Sequence, residues 1–251
     1  MALSEINIPS YVLTIEQKGG ERRNHAIQQL SALGLRASFI QGFKKNDPSI
    51  LSAYNGFLNR LLSKRSLTNG EIAVYCGHRK IWREFLSSDH AYALVFEDDF
   101  RVIDEEKFSR AIQDGLTQPQ NWDILKFFDF KPKRVLERRA IGSTGIVRYK
   151  YAASGAVAYL IDRKAAQKLS SRKRFFRAVD EDLSWPWELG LSIWSVSPNL
   201  VEEVSHNLGG SLLEMDRKST KRRRNIARSL WGNVIQAYKL ARSKAYNSSF
   251  G

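Results

Sequence analysis

An α/β fold, a mostly parallel central sheet with helices on both faces, is what the sequence predicts, and three observations predict it. Short apolar runs alternate with stretches of helical periodicity through about residue 205, the pattern of strands linked by crossover helices. Apolar residues make up 43% and charged residues 26%, average for a globular protein with a sizeable core. The length of 251 residues suits one large domain, or one domain with an appendage. The charge locates the appendage. The formal net charge is +14, and residues 217–251 hold ten Lys/Arg and no Asp/Glu; without those ten the rest stands at +4. Residues 1–212 read as a folded body and 213–251 as a basic tail.

In order along the chain, Tyr11 to Ile15 is a buried strand, broken by Gly19-Gly20. Ala26, Ile27, Leu30 and Leu33 recur at helical spacing from Glu21, and Gly34 stands where a helix stops. Ala37 to Ile40 is a second strand. Asp47-Pro48 opens a helix with an apolar face from Ile50 to Leu62. Thr68-Asn69-Gly70-Glu71 is a capping box before a helix that reaches about Leu86, with Ile72, Cys76, Trp82 and Phe85 inward. Ala91 to Phe96 is a third strand, Asp104 opens another helix, and Asp123 to Phe128 is a strand. Residues 131–144 are basic and read as irregular. Ala152 to Ile161 is a strand, Arg163 to Leu169 a helix, and Ile193 to Val196 the last strand before Pro198.

Several classes are disfavoured. No run approaches the roughly 18–20 apolar residues of a membrane span, and Met1 to Ser10 lacks a basic segment followed by an apolar one. The single cysteine, Cys76, rules out an intrachain disulfide and leaves a zinc site only one thiolate. A cytoplasmic protein is expected. The mild charge of the body disfavours a nucleic-acid binder.

The sharpest local feature is Leu94-Val95-Phe96-Glu97-Asp98-Asp99. A buried strand delivers three carboxylates at its C-terminal end, where open α/β sheets bind ligands. In an extended chain, side chains at i and i+2 point the same way, roughly 6–7 Å apart. Glu97 and Asp99 are therefore the expected ligands of one Mg²⁺ or Mn²⁺, with Asp98 pointing elsewhere. A cation there would clamp a diphosphate leaving group. The plainer alternative is a solvated acidic turn.

Four motifs in order resemble glycosyltransferase family 25, the lipooligosaccharide galactosyl- and glucosyltransferases related to collagen galactosyltransferases. They are Val12-Leu13-Thr14-Ile15 with Glu21-Arg22-Arg23; Leu67-Thr68-Asn69-Gly70-Glu71-Ile72 with His78 and Trp82; Leu94 to Asp99; and Gly155 to Ile161 followed by Val179-Asp180 and Pro198. The similarity covers roughly residues 9–205. It implies a GT-A-type catalytic domain over 1–212 and metal-assisted, inverting transfer of galactose or glucose from a UDP-sugar. On that resemblance Glu97 and Asp99 fall on the metal-binding acidic segment, with Asp98 beside them.

The resemblance also ranks the other candidates. Arg22 falls near the nucleotide, and an arginine opening a helix after the first strand suits a phosphate; it could equally be an exposed helix residue. Inverting transfer needs a base for the acceptor hydroxyl. Asp180 matches the family's aspartate and is first choice, Asp182 second; either could instead complement a helix N-terminus. Trp185 and Trp187 could stack on the acceptor or pack in the core. His78 is kept because the family shares it. Thr68 and Glu71 are explained as a cap and could also line the donor site. Gly77, Ala178 and Ser211-Leu212-Leu213 depart from the family pattern and put the donor identity in doubt.

In the tail, Lys221-Arg222-Arg223-Arg224 precedes Ile226, Leu230, Trp231, Val234, Tyr238 and Ala241 at helical spacing. This predicts a basic amphipathic helix for an anionic membrane surface, fitting a glycolipid acceptor at the cytoplasmic face of the inner membrane. Docking on the body, a partner helix and RNA binding are the alternatives. Two other functions fit the chain: a basic polyanion-binding protein with an inactive body, and a metal-dependent hydrolase of nucleotide sugars.

Overall fold

The computed structural model describes residues 8–117, 122–210 and 226–249. The expected boundary at 212/213, Ser211 to Leu213 and the run Lys221 to Arg224 lie outside them. Ten strands and seven helices are described: β1 Ser10–Thr14, α1 Glu21–Ala32, β2 Ser38–Gln41, α2 Gly56–Leu62, α3 Asn69–Leu86, β3 Tyr92–Glu97, β4 Phe100–Val102, α4 Glu105–Thr117, β5 Ile124–Lys126, β6 Val135–Ile141, β7 Thr144–Tyr149, β8 Ala158–Asp162, α5 Arg163–Ser171, α6 Val179–Leu183, β9 Ile193–Val196, β10 Val201–Glu203 and α7 Ile226–Ser248.

Eight strands form one sheet in the order β2-β1-β3-β8-β5-β9-β7-β6. Six share a direction, while β7 and β8 run against them. The sheet is thus mixed, and β8 separates the parallel trio β2-β1-β3 from β5-β9. Alternation along the central strands supplies two cores, one per face. Val95 of β3 and Tyr159 of β8 face α3 and α5. Leu94, Phe96 and Leu160 face α1 and α4.

Helix α3 sets the site's back wall. Thr68 Oγ1 accepts the Glu71 N–H at 3.2 Å and Glu71 Oε2 accepts the Thr68 N–H at 3.0 Å, the reciprocal cap that the sequence predicts. The helix then lies so close to β1 that a Cβ on Gly77 would sit 2.5 Å from Leu13 Cδ1. The close approach explains why a glycine stands there.

Three expectations change. The helix expected from Asp47 is a 3-10 turn, Pro48–Ala53, and then α2, because Asn55 accepts the Leu58 N–H and starts a second helix. The basic stretch 131–144 contains β6, an edge strand. Its Glu137, Arg138 and Arg139 are the charges that protect a sheet edge, and they hid its pattern. The strand expected from Ala152 begins at Ala158.

Helix α7 docks on the body with an unexpected face. Trp231 Nε1 donates to Leu61 O at 2.7 Å, and Asn247 Nδ2 donates to Tyr149 O at 3.0 Å and Lys150 O at 3.2 Å. Lys239 Nζ donates to Ser184 Oγ. Leu230, Val234 and Tyr238 stay exposed. Among the described residues no helix is long and apolar enough to cross a membrane.

Candidate active site

A cavity of about 870 Å³ opens beyond the C-terminal ends of β1, β2 and β3. Thr14, Arg22, Glu97, Asp98, Asp99 and Asp180 all line it. Its rim carries Lys44, Lys45 and Asn46 on the loop after β2, and its far wall carries Phe128, Phe130 and Gly155. Gly155 is required: its φ is +121°, and a Cβ there would lie 3.0 Å from Phe128.

The acidic segment is not extended. β3 ends at Glu97, and Asp98 and Asp99 form a turn into β4. Asp98 therefore does not point elsewhere: it shares Arg22 Nη1 with Asp99, while Glu97 also lines the cavity. Arg22 Nη1 lies 3.1 Å from Asp98 Oδ1 and 3.2 Å from Asp99 Oδ2. Burial, then the charge of Glu97, pushes Asp99 up to about 8 against the pull of Arg22. Burial also raises Asp98, opposed by Thr14 and Arg22. Asp99 Oδ1 is buried without a hydrogen-bond partner.

Glu97 is held from behind. Trp82 Nε1 donates to Tyr159 Oη at 2.9 Å, Tyr159 Oη lies 2.9 Å from His78 Nδ1, and His78 Nε2 lies 3.1 Å from Glu97 Oε1. An indole N–H can only donate. Tyr159 therefore accepts from Trp82 and is free to give its own proton to Nδ1, the arrangement that puts a proton on Nε2 facing Glu97. His78, fully buried, orients a carboxylate and does not reach the cavity.

Arg22 also donates to Leu208 O from Nε at 3.3 Å and to Gly210 O from Nη2 at 2.9 Å. It ties the acidic turn to the segment after β10. The first N–H groups of α1 are already taken, since Glu16 Oε2 accepts from Arg22 N at 2.9 Å and Arg23 N at 3.3 Å. The phosphate-binding helix end expected at Arg22 is occupied by this carboxylate.

Of the second acidic cluster, Asp180 lines the cavity. Asp182 points into the protein, against expectation. It accepts from Tyr75 Oη at 2.6 Å and pairs with Arg172 at 3.3 Å and Arg177 at 3.5 Å. Trp185 is likewise closed to a sugar, because the Arg177 guanidinium sits 3.6 Å from its ring centroid and Lys239 of α7 lies 5.6 Å away. Thr68 and Glu71 form the cap, with Glu71 gripped by Arg65 at 2.5–2.6 Å; Glu71 also lines the cavity, and Thr68 does not. Lys44, Lys45 and Phe130 went unpredicted; Lys44-Lys45 is an unremarked charge pair on a loop, without a periodic signal.

Among the described residues no three His, Cys, Asp or Glu side chains group to hold a metal ion by themselves. The donors facing the cavity are carboxylate oxygens, the set that suits Mg²⁺ or Mn²⁺. The buried, unpartnered Asp99 Oδ1 fits a cation that takes its remaining ligands from a diphosphate.

The family model described as glycosyltransferase family 25 (LPS biosynthesis protein) matches residues 7–184, well over half of the chain. The chain belongs to glycosyltransferase family 25. It is 28% identical over 183 residues to a glycosyltransferase 25 family member of Aedes aegypti, covering 68% of this chain and 29% of that protein. It is 26% identical over 172 residues to the lipooligosaccharide biosynthesis protein lic2B of Haemophilus influenzae, covering 64% of this chain and 62% of the relative. A probable inactive glycosyltransferase 25 family member 3 of Rattus norvegicus is 32% identical over 123 residues, 48% of this chain and 21% of the relative. The match thus spans less than a third of the mosquito and rat proteins.

Proposed function

We propose that this chain is an inverting hexosyltransferase with a GT-A-type body, moving galactose or glucose from a UDP-sugar to a hydroxyl of a lipooligosaccharide or another glycan. One observation carries the reading: in a member of this family, an acidic turn, an arginine and a separate aspartate share one large cavity. Asp180 takes the proton of the acceptor hydroxyl as its oxygen attacks the anomeric carbon. The bond from that carbon to the UDP oxygen breaks, and UDP leaves with the electron pair. Arg22, Lys44 and Lys45 offer positive charge to the diphosphate. Asp98 and Asp99, with Glu97 beside them, are the residues that would hold Mn²⁺ or Mg²⁺, which supplies charge neutralisation to the leaving group. The acceptor is read as a glycolipid met at an anionic membrane surface.

The test is UDP release across a panel of UDP-sugars with Mn²⁺, with and without EDTA. Asp99→Ala is expected to abolish release in a folded protein. Asp180→Asn is expected to lower kcat by roughly 100-fold or more with KM for the donor unchanged. Loss through KM alone would count against Asp180 as the base. A second reading is an inactive body that binds polyanions; the rat relative's name supports the inactivity, and the basic residues of 217–251 the polyanion. It predicts donor binding without turnover and polyanion binding indifferent to Asp99→Ala.

A further inference from the structure

We infer that α2 and α7 together form a docking surface for an anionic lipid bilayer, seated through an exposed apolar stripe while the polar side of α7 is spent on the body. At 3.6 residues per turn, Leu230, Val234, Tyr238 and Ala241 share one side of α7. Gly232, Lys239, Ser243 and Asn247 share the opposite side. The second set is buried or bonded to the body: a Cβ on Gly232 would lie 3.1 Å from Lys64 Cα, Ser243 is fully buried, and Asn247 holds Tyr149 and Lys150. The first set faces solvent, with Leu230 64%, Val234 56% and Tyr238 54% exposed. A helix that only needed to pack on the body would turn this stripe inward.

The surface extends onto α2. Trp231 donates to Leu61 O, and Phe57 and Leu61 are 76% and 47% exposed beside it. Charge selects the occupant. Exposed Arg242 and Lys244 flank the stripe on its two sides. Residues 48–70 contain Arg60, Lys64 and Arg65 and no acid, and Arg60 and Lys64 are exposed. A second copy of the chain would bring the same positive charge to this face. A nucleic acid would satisfy the charge but not the apolar stripe. A bilayer of anionic lipids meets both. Helix α7 also lies against Ser184 and Trp185, directly after the α6 turn whose Asp180 lines the cavity. The membrane would therefore meet the protein beside the acceptor side of the site; this last step rests on the glycosyltransferase reading.

The test is co-sedimentation of the full chain, without sugar donor, with phosphatidylglycerol–phosphatidylethanolamine vesicles and with phosphatidylcholine vesicles. Binding to the anionic vesicles is expected to be at least roughly ten-fold tighter. The variant Phe57→Ser/Leu230→Ser/Val234→Ser is expected to lose roughly ten-fold or more of it with an unchanged unfolding midpoint. Equal binding to both vesicles overturns the inference. So does wild-type binding by the triple variant, which would leave charge alone responsible. A dimer that the triple variant dissolves, with no vesicle binding, assigns the face to a second copy and also overturns it. Because the donor is absent, these failures leave the transferase reading intact; normal vesicle binding without UDP release overturns that reading alone.

Discussion

At Tyr159 a single hydroxyl completes a chain of three hydrogen bonds that ends on Glu97. Removing it leaves Trp82 Nε1 and His78 Nδ1 buried without that partner, each with a desolvation cost of about 1–3 kcal/mol. Tyr159→Phe is therefore expected to lower unfolding free energy by about 2–6 kcal/mol in urea titration, and a loss below half of that would show that water replaces the hydroxyl. The sequence put His78 among the site residues but supplied no partner for it. Its partners lie 19 and 81 residues away, across two strands whose register a sequence does not display. Asp180 and Asp182 illustrate the same limit. Two residues apart on a short helix, they differ by about 200° around its axis, and only the position of Tyr75 and two arginines decides which of them turns inward.

At the element scale, what was legible followed local chemistry. The α3 cap needs only Thr68 and Glu71 and was read in full; Thr68→Ala is expected to cost about 1 kcal/mol, measurable as a shift in the thermal midpoint. Buried strands β1, β3 and β9 were found because their side chains are apolar on both faces. β6 was missed because an edge strand is allowed to be charged, and the break between the Pro48–Ala53 turn and α2 was missed because Asn55 outweighs the continuing apolar pattern. Gly77 was noticed as a departure from the family, without its reason. Gly77→Ser is expected to push Leu13 toward the cavity and destabilise by about 1–3 kcal/mol; a neutral result would mean that β1 yields easily.

Over the whole molecule, α7 couples a distant segment to the site wall, and Lys239 carries a measurable trace of it. Burial, partly offset by Glu181 and Asp180, pushes Lys239 down to about 8 from an ordinary 10.5, with Arg177 and Lys133 adding to the burial. The unfolded chain keeps this proton up to about 10.5 and the folded chain releases it near 8, so between those values the unfolded state binds more protons. Stability gains from this group as pH rises across that window. Lys239→Met is expected to remove that gain: the urea midpoint of the wild type should rise relative to that of the variant from pH 8 to pH 10.5. A constant difference would mean that the amine stays solvated. The helix itself was legible from its period, whereas the side it turns to the body was not, because small and polar docking residues leave no hydropathic signature.

A guanidinium has five N–H donors, and Arg22 spends four, on Asp98, Asp99, Leu208 O and Gly210 O. One remains for any newcomer. An anionic ligand that asks for two must loosen either the acidic turn or the hold on Leu208 and Gly210, and by reciprocity whatever tightens that hold weakens the ligand's. Arg22 thereby sets its two carboxylate partners, its two carbonyl partners and any incoming anion as rival claims on one side chain.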